Sequence, residues 1–264
     1  MDVASKQQKT LKNVLYYGLP VLAILMIAVG WVLFSGSHPE LMPAPADVWA
    51  RFVKTFTKPI AKTSLAGHAW ASLRRVLMAL LIAWAFGISF GILIGWNKKC
   101  KAFFGSIFEV IRPIPPIAWI PIAILWLGVA EGSKIFICFV GAFVIMILNS
   151  YTGMRYVDPL LIDAARSFGA SRSQQFFNVA VPACMPSIFA GVQNSLSMAW
   201  MCVLAAEMVG AREGVGYIII QGMDLNKSSM ILVGMVLIGI VGSLLAATLR
   251  CAERLLCPWR REMV

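Results

Sequence analysis

Charge is scarce in this chain, and acid scarcest of all. Asp and Glu supply 12 of the 264 residues, and all charged residues together make up 13%. A soluble domain carries about 25% charged residues. A large soluble helical domain would also interleave charges at helical spacing, and the apolar stretches here do not. Histidine is nearly absent, with only His38 and His68. There is no HExxH, no GxSxG and no paired-His spacing, so neither a zinc enzyme nor an intramembrane protease finds support. The six cysteines (Cys100, Cys138, Cys184, Cys202, Cys251 and Cys257) have no metal-ligand spacing with a histidine, and no metal site is expected. No Lys/Arg-rich run is interleaved with aromatics, so the net charge of +11 does not point to nucleic acid. A convincing internal repeat is also missing.

What is abundant is apolar sequence. The chain is 59% hydrophobic with a mean hydropathy of +0.79. The apolar residues gather in runs of roughly twenty, each long enough to cross a hydrocarbon core of about 30 Å as a helix. Six spans are expected, at roughly 14–34, 74–96, 103–127, 134–154, 186–208 and 229–250. Lys6, Lys9 and Lys12 precede the first run and resemble the start of a signal peptide. The run to Phe34 is longer than a signal h-region, and Ser35-Gly36-Ser37 is a weak cleavage site, so a retained span is expected.

Both termini are expected in the cytoplasm. That choice puts 13 Lys and Arg in the inner segments, including Lys98, Lys99, Lys101, Arg155, Arg166 and Arg172, against 9 in the outer ones. It also keeps every cysteine out of the outer loops, as suits unpaired thiols. The first outer loop weakens the bias and has its own pattern. Asp47 can cap a helix running to about Lys58, with Val48, Trp49, Phe52, Val53 and Phe56 on one face and Arg51, Lys54 and Lys58 opposite. Such a helix either lies in the membrane interface or packs on the extracytoplasmic surface. Gly87, Gly91 and Gly95 form a small-residue stripe that predicts a close helix contact, within the chain or across a dimer. Arg112, Pro113, Pro115 and Pro116 must break the third span. The break lies near the cytoplasmic boundary or beside a passage, and Glu109 stands three residues from Arg112 as a possible partner.

Between the fourth and fifth spans the pattern is that of a lever. Asp158-Pro159 opens a helix, and Leu160, Leu161, Ala164, Ala165 and Phe168 line one side. Gly169 closes it, and Ser171-x-x-Gln174 is a capping box for a second helix, with Pro182 and Pro186 before span five. Polar groups in the spans are candidates for a translocation path: Asn149, Asn194, Ser197 and Glu207. Each has a plainer alternative. Asn149, Asn194, Ser195 and Ser197 can bond helix to helix, and Glu207 can bond loop amides near Gly210. Trp119, Trp126 and Trp200 suit packing or the interface.

The segment Asp163-Ala164-Ala165-Arg166-Ser167-Phe168-Gly169, continuing to Val179-Ala180-Val181-Pro182, resembles the EAA loop of ABC-importer permeases. Asp replaces the usual Glu, and Val the usual Ile and Leu. Arg112 to Pro121, Leu125 to Gly128, Ala206 to Gly210, Gly214 to Tyr217 and Pro43-Ala44-Pro45 resemble the nitrate/sulfonate/taurine/bicarbonate branch over roughly residues 40–250. The resemblance implies an all-α integral membrane protein with six transmembrane helices and the type I importer permease fold. Its parts would be a cytoplasmic tail (1–13), a first span (14–34), an extracytoplasmic loop with an amphipathic helix (35–73), a core of five spans (74–250) holding a coupling loop (155–185), and a second tail (251–264). It also implies a place in the bacterial cytoplasmic (inner) membrane. The implied function is ATP-driven import of a small solute, such as a sulfonate, taurine or nitrate, by alternating access. The implied partners are two ATPase subunits, a second permease copy and an extracytoplasmic solute-binding protein. Leu161, Asp163, Ala164, Ala165, Phe168, Gly169 and Pro182 would couple to the ATPase. Gly128 to Lys134 has the wrong spacing for a phosphate loop, so ATP and Mg would be used by the partner, with no cofactor on this chain. A secondary, ion-coupled transporter is the rival reading.

Overall fold

The computed structural model describes residues 2–256, with side chains for Tyr16 and for 18–253. Lys6, Lys9, Lys12 and Cys257, named above, lie outside the described side chains, as do Arg254, Arg260 and Arg261, three of the 13 inner charges, and the rest of the tail 257–264. The elements are α1 (Asp2–Ser37), α2 (Pro45–Thr57), α3 (Leu65–Trp96), α4 (Lys98–Ile111), α5 (Ile120–Leu127), α6 (Glu131–Arg155), α7 (Pro159–Ser167), α8 (Arg172–Gln174), α9 (Val181–Met208), α10 (Val215–Asp224) and α11 (Ser228–Leu256). Among the described residues, five stretches are long and apolar enough to cross a bilayer: Gly18–Ser37, Leu65–Trp96, Glu131–Arg155, Arg172–Met208 and Ser228–Glu253. A sixth is the bent pair α4 and Pro116–Leu127, turned by 87°.

Helices α3, α6 and α9 form the core. Their contact explains the glycine stripe, which is internal to the chain. A Cβ on Gly87, Gly91 or Gly95 would lie 2.9, 2.6 or 2.7 Å from the Cβ of Met146, Ser150 or Met154. Both sets step by four residues in the same direction, so α3 and α6 run parallel in ridge-to-groove contact. α9 returns antiparallel to α6 by the same device, with Gly141 against Cys202, Asn149 against Gly191, and Gly153 against Ser187. Trp84 Nε1 donates to Ser195 Oγ at 2.8 Å and ties α3 to α9. A second cluster packs Val48 and Phe52 of α2 against Leu65, Val215, Ile218, Met230 and Val233. By contrast α1 is mostly bare, with 6% of its apolar window buried, and meets the second cluster through Trp31.

Four expectations change. The second span starts at Leu65, not 74, because Ser64 caps it and accepts from Gly67 N at 3.1 Å. Arg74 and Arg75, counted as loop charges, therefore lie inside a helix. Asp47 is not the cap of α2. Ala44 is, with Pro45 at the first position and Asp47 in the first turn, where its charge still favours the helix N-terminus. No ion pair joins Glu109 to Arg112 among the described residues, and both are exposed. Finally, the break at Arg112–Pro116 is not at the edge of the bundle. Pro116 packs on Gly141, ten residues into the 25 of α6 and so about 15 Å from its Glu131 end. Arg112, Pro113 and Pro115 are exposed on this chain and Pro116 is half-buried. Irregular backbone there requires cover by protein or a wet cavity.

Candidate functional site

Two sites stand at opposite ends of the core. The first is the loop after α6. Asp158 Oδ1 accepts from Leu160 N at 2.9 Å, and Pro159 takes the first helical position of α7. The helix ends at Gly169, whose φ of +79° is the left-handed conformation that disfavours a Cβ. Gly169 N reaches Arg166 O at 2.9 Å and Ala170 N reaches Ala165 O at 3.0 Å, which satisfies carbonyls the helix end leaves open. Ser171 and Gln174 form the capping box in both directions, at 2.8 and 3.3 Å. Buried Gln175 donates to Ala170 O at 2.8 Å and fixes the turn against the next helix.

That next helix opens at the expected capping box and, with no break at Pro182 or Pro186, runs from Arg172 to Met208 through a π turn at Gln175–Ala180. Val181 N reaches back five residues to Phe176 O. The wider turn accommodates Pro182, which has no N–H to donate and whose ring would crowd a regular α turn.

The residues expected to couple divide by face. Ile162 packs toward the core cluster of Met154, Ala180 and Cys184, and Ala165 is half-buried. Ala165 thus belongs to the inner face, not to the exposed side on which the sequence pattern put it. Leu161, Asp163, Ala164, Phe168 and Pro182 are exposed, and Asp163 pairs with Arg166 at 3.2 Å. Phe168 is 92% exposed, and Tyr156, Leu160 and Phe177 in the same loop region are exposed as well. Leu160 was assigned to the helix face but not to the anchors, and the sequence reading gave Tyr156 and Phe177 no role.

The second site is a buried ion cluster at the Glu131 end of α6. Arg75 of α3 is 0% exposed. Its Nε and Nη2 donate to the two oxygens of Glu131 at 2.6 and 2.7 Å. Its Nη1 donates to Glu207 Oε1 at 2.6 Å and to Glu213 O at 3.0 Å. Glu207 of α9, 1% exposed, also accepts from Ser72 Oγ at 2.7 and 2.8 Å and from Gly216 N at 2.9 Å. Ser72 Oγ in turn accepts from Val215 N at 2.9 Å. His68 Nδ1 accepts from Gly214 N at 3.1 Å, and its Nε2 donates to Ile60 O at 3.1 Å. At Gly214 φ is +124°, and a Cβ would lie 2.3 Å from Glu207 Cδ. Only glycine lets the loop close on the carboxylate. Three helices and the start of α10 are thereby pinned to one guanidinium. A planar fork with five donors can hold one carboxylate through two parallel bonds and still reach a second, a geometry that the point-like ammonium of lysine does not offer.

The Glu207 carboxylate is sealed inside the chain, and its partners are Arg75, Ser72 and the single amide of Gly216 in the first turn of α10. Asn149 donates to Ile145 O at 2.9 Å in its own helix and packs against Gly191. Asn194 and Ser197 are exposed beside Arg250, along a cavity of about 130 Å³ between α9 and α11. The structure does not bring these four together into one site. Ser72, Arg75, Glu131 and Glu213 were missed. The signal available was an arginine followed by a long apolar run, with two further acids at loop ends.

The fold and the loop define a class, a polytopic helical membrane protein with a structured, apolar-tipped handle between two spans. Residues 87–262 match the family described as binding-protein-dependent transport system inner membrane components, and the chain belongs to that family. It is 34% identical over 257 residues to a putative ABC transporter permease protein of Methanocaldococcus jannaschii, covering 96% of this chain and 95% of that one. It is 32% identical over 243 residues to the taurine transport system permease protein of Escherichia coli (90% and 88% covered). It is 32% identical over 244 residues to a nitrate import permease protein of Synechocystis sp. (90% and 89% covered). An amino acid ABC transporter of known structure shares the fold, with a TM-score of 0.58 at 16% identity over 81% of this chain and 96% of that one. The chain is therefore a membrane permease component of an ABC importer, not an enzyme.

Proposed function

We propose that this chain is one half of the membrane pore of an ATP-driven importer of small anions, a sulfonate such as taurine or an oxyanion such as nitrate. Two copies would enclose the path, two ATPase subunits would dock on the α7 loops, and a solute-binding protein would deliver from the opposite side. ATP binding would draw the two loops together and open the path outward, and hydrolysis would reverse the motion.

The observation that carries this reading is the bare tip of α7. Leu160 and Phe168 are exposed on a helix that is capped at both ends and backed by Ile162, and Tyr156 is exposed just before it. An apolar cluster held rigidly outside the core suits insertion into another protein's groove. The exposed break at Arg112–Pro116, the bare α1 and the polar stripe Asn194–Ser197 suit a second copy and a wet path. The anion preference rests on the relatives alone. Proteoliposomes holding the chain, its ATPase and its binding protein test all of this. Taurine or nitrate should accumulate with ATP and binding protein and not without them. Uptake driven by an ion gradient with no ATPase would instead establish the secondary-transporter reading.

A further inference from the structure

Helix α2 has three stripes. Val48, Phe52 and Thr55 are buried against α3, α10 and α11. Trp49, Val53 and Phe56 are exposed, at 66%, 49% and 61%. Arg51, Lys54 and Lys58 form the third. At about 100° per residue the bare apolar stripe and the basic stripe point in nearly opposite directions, with the packed stripe midway between them. In water the apolar stripe would be an exposed patch without function. Lying flat at a bilayer surface, with one flank on the bundle, it reaches the acyl region, and the basic stripe then sits at headgroup depth.

The basic stripe is also a built concavity. Arg51, Lys54, Thr55, Lys58, Pro59 and Ile60 line a cavity of about 130 Å³ with no acid in its wall. None of the three cations is in an ion pair among the described residues. The rim is a fixed turn: Ile60 and Thr63 exchange N–H···O bonds at 2.9 Å, and Ala61 and Lys62 between them take φ of 48° and 73°. Ile60 O is held in addition by His68 Nε2. A tetrahedral oxyanion with a fork-shaped cation and two ammonium groups around it is a favourable match.

We propose that this cavity binds the headgroup phosphate of an acidic membrane phospholipid, and that α2 fixes the start of α3 and the α10–α11 corner at the membrane surface through that lipid. The bare stripe Trp49–Val53–Phe56 decides for lipid over an acidic protein surface, because a soluble partner would leave it in water. The proposal does not depend on the transported solute or on the ATPase.

The test is titration of phosphatidylglycerol into the detergent-purified full chain, read by native mass spectrometry. The triple variant Arg51→Gln/Lys54→Gln/Lys58→Gln should bind the lipid about tenfold to a hundredfold more weakly. Lys98→Gln/Lys99→Gln/Lys101→Gln removes the same charge elsewhere and should leave the affinity within about threefold of the parent. Equal losses in the two variants would reduce the effect to overall charge and overturn the site. Displacement of the lipid by millimolar inorganic phosphate would make it a free-anion site and overturn the lipid assignment. Unchanged lipid binding combined with lost docking of the solute-binding protein would assign the surface to that partner and overturn the proposal as well. Matching thermal unfolding of parent and triple variant checks that all three outcomes are read on folded protein.

Discussion

Replacing Arg75 by methionine removes the centre of the buried cluster and leaves its surroundings intact. The side chain makes four hydrogen bonds, two to Glu131, one to Glu207 and one to Glu213 O. The two carboxylates respond differently to its loss. The Glu131 side chain is 44% exposed, so water can solvate it once the arginine is gone. The Glu207 side chain is 0% exposed and keeps only Ser72 and Gly216 N, with no counter-charge. Stranding one member of a buried pair costs about 3–5 kcal/mol. A chain of this size loses roughly 2–4 °C of unfolding temperature per kcal/mol, so Arg75→Met should unfold about 6–20 °C lower at matched scan rate. Arg75→Lys should recover less than half of that, since an ammonium cannot hold Glu131 through two parallel bonds and reach Glu207 as well. The double variant Arg75→Met/Glu207→Met replaces the pair by apolar groups of similar length and should fall by less than the single variant. Unfolding of Arg75→Met within about 2 °C of the parent, or additive losses in the double variant, would refute the claim that this pair ties the three helices together.

Other outcomes follow from single contacts. Gly214→Ala forces a Cβ to within 2.3 Å of Glu207 Cδ at φ +124°, and should lower the unfolding temperature. Gly132→Ala, whose nearest neighbour would be 4.0 Å away, should not. Gly91→Leu drives a side chain into Ser150 and the Ile147 carbonyl and should abolish folded protein in detergent, as judged by gel filtration. Phe168→Ala should leave stability unchanged but weaken ATPase binding by about 1.5–3 kcal/mol, or roughly tenfold to 150-fold in pull-down titration. Gly169→Val has room for its Cβ but not the backbone conformation. It should therefore assemble less ATPase or hydrolyse ATP without transport, while Gly169→Asn should retain most coupling. Normal uptake by the valine variant would count against the lever.

How much of this could be read in advance depended on the range of the interactions. The Asp158 and Ser171 caps and the Gly169 stop are set by neighbours within six residues, so the α7 loop was legible from sequence. The glycine stripe was legible as a contact but not its partner, because Met146, Ser150 and Met154 share no distinctive chemistry. The ion cluster was largely hidden. Its members come from residues 72, 75, 131, 207 and 216, and only the fold brings them together. Glu207 drew notice because a carboxylate in a span is costly. Arg75 did not, because a charge at the edge of an apolar run is ordinarily a loop residue. That same assumption placed the start of α3 nine residues late. The π turn at Gln175–Ala180 was unreadable for a related reason: prolines usually end a helix, and here the turn before Pro182 widens to let the helix continue.

The account stands or falls on where the tip of α7 lies and what covers it. A Phe168→Cys variant, with Cys100, Cys251 and Cys257 replaced, can be probed with a membrane-impermeant maleimide in intact cells and in inverted membrane vesicles. The expected result is no labelling in cells, full labelling in stripped inverted vesicles, and protection when the ATPase is added back. Labelling in intact cells, or labelling in vesicles that the ATPase leaves unchanged, would contradict it.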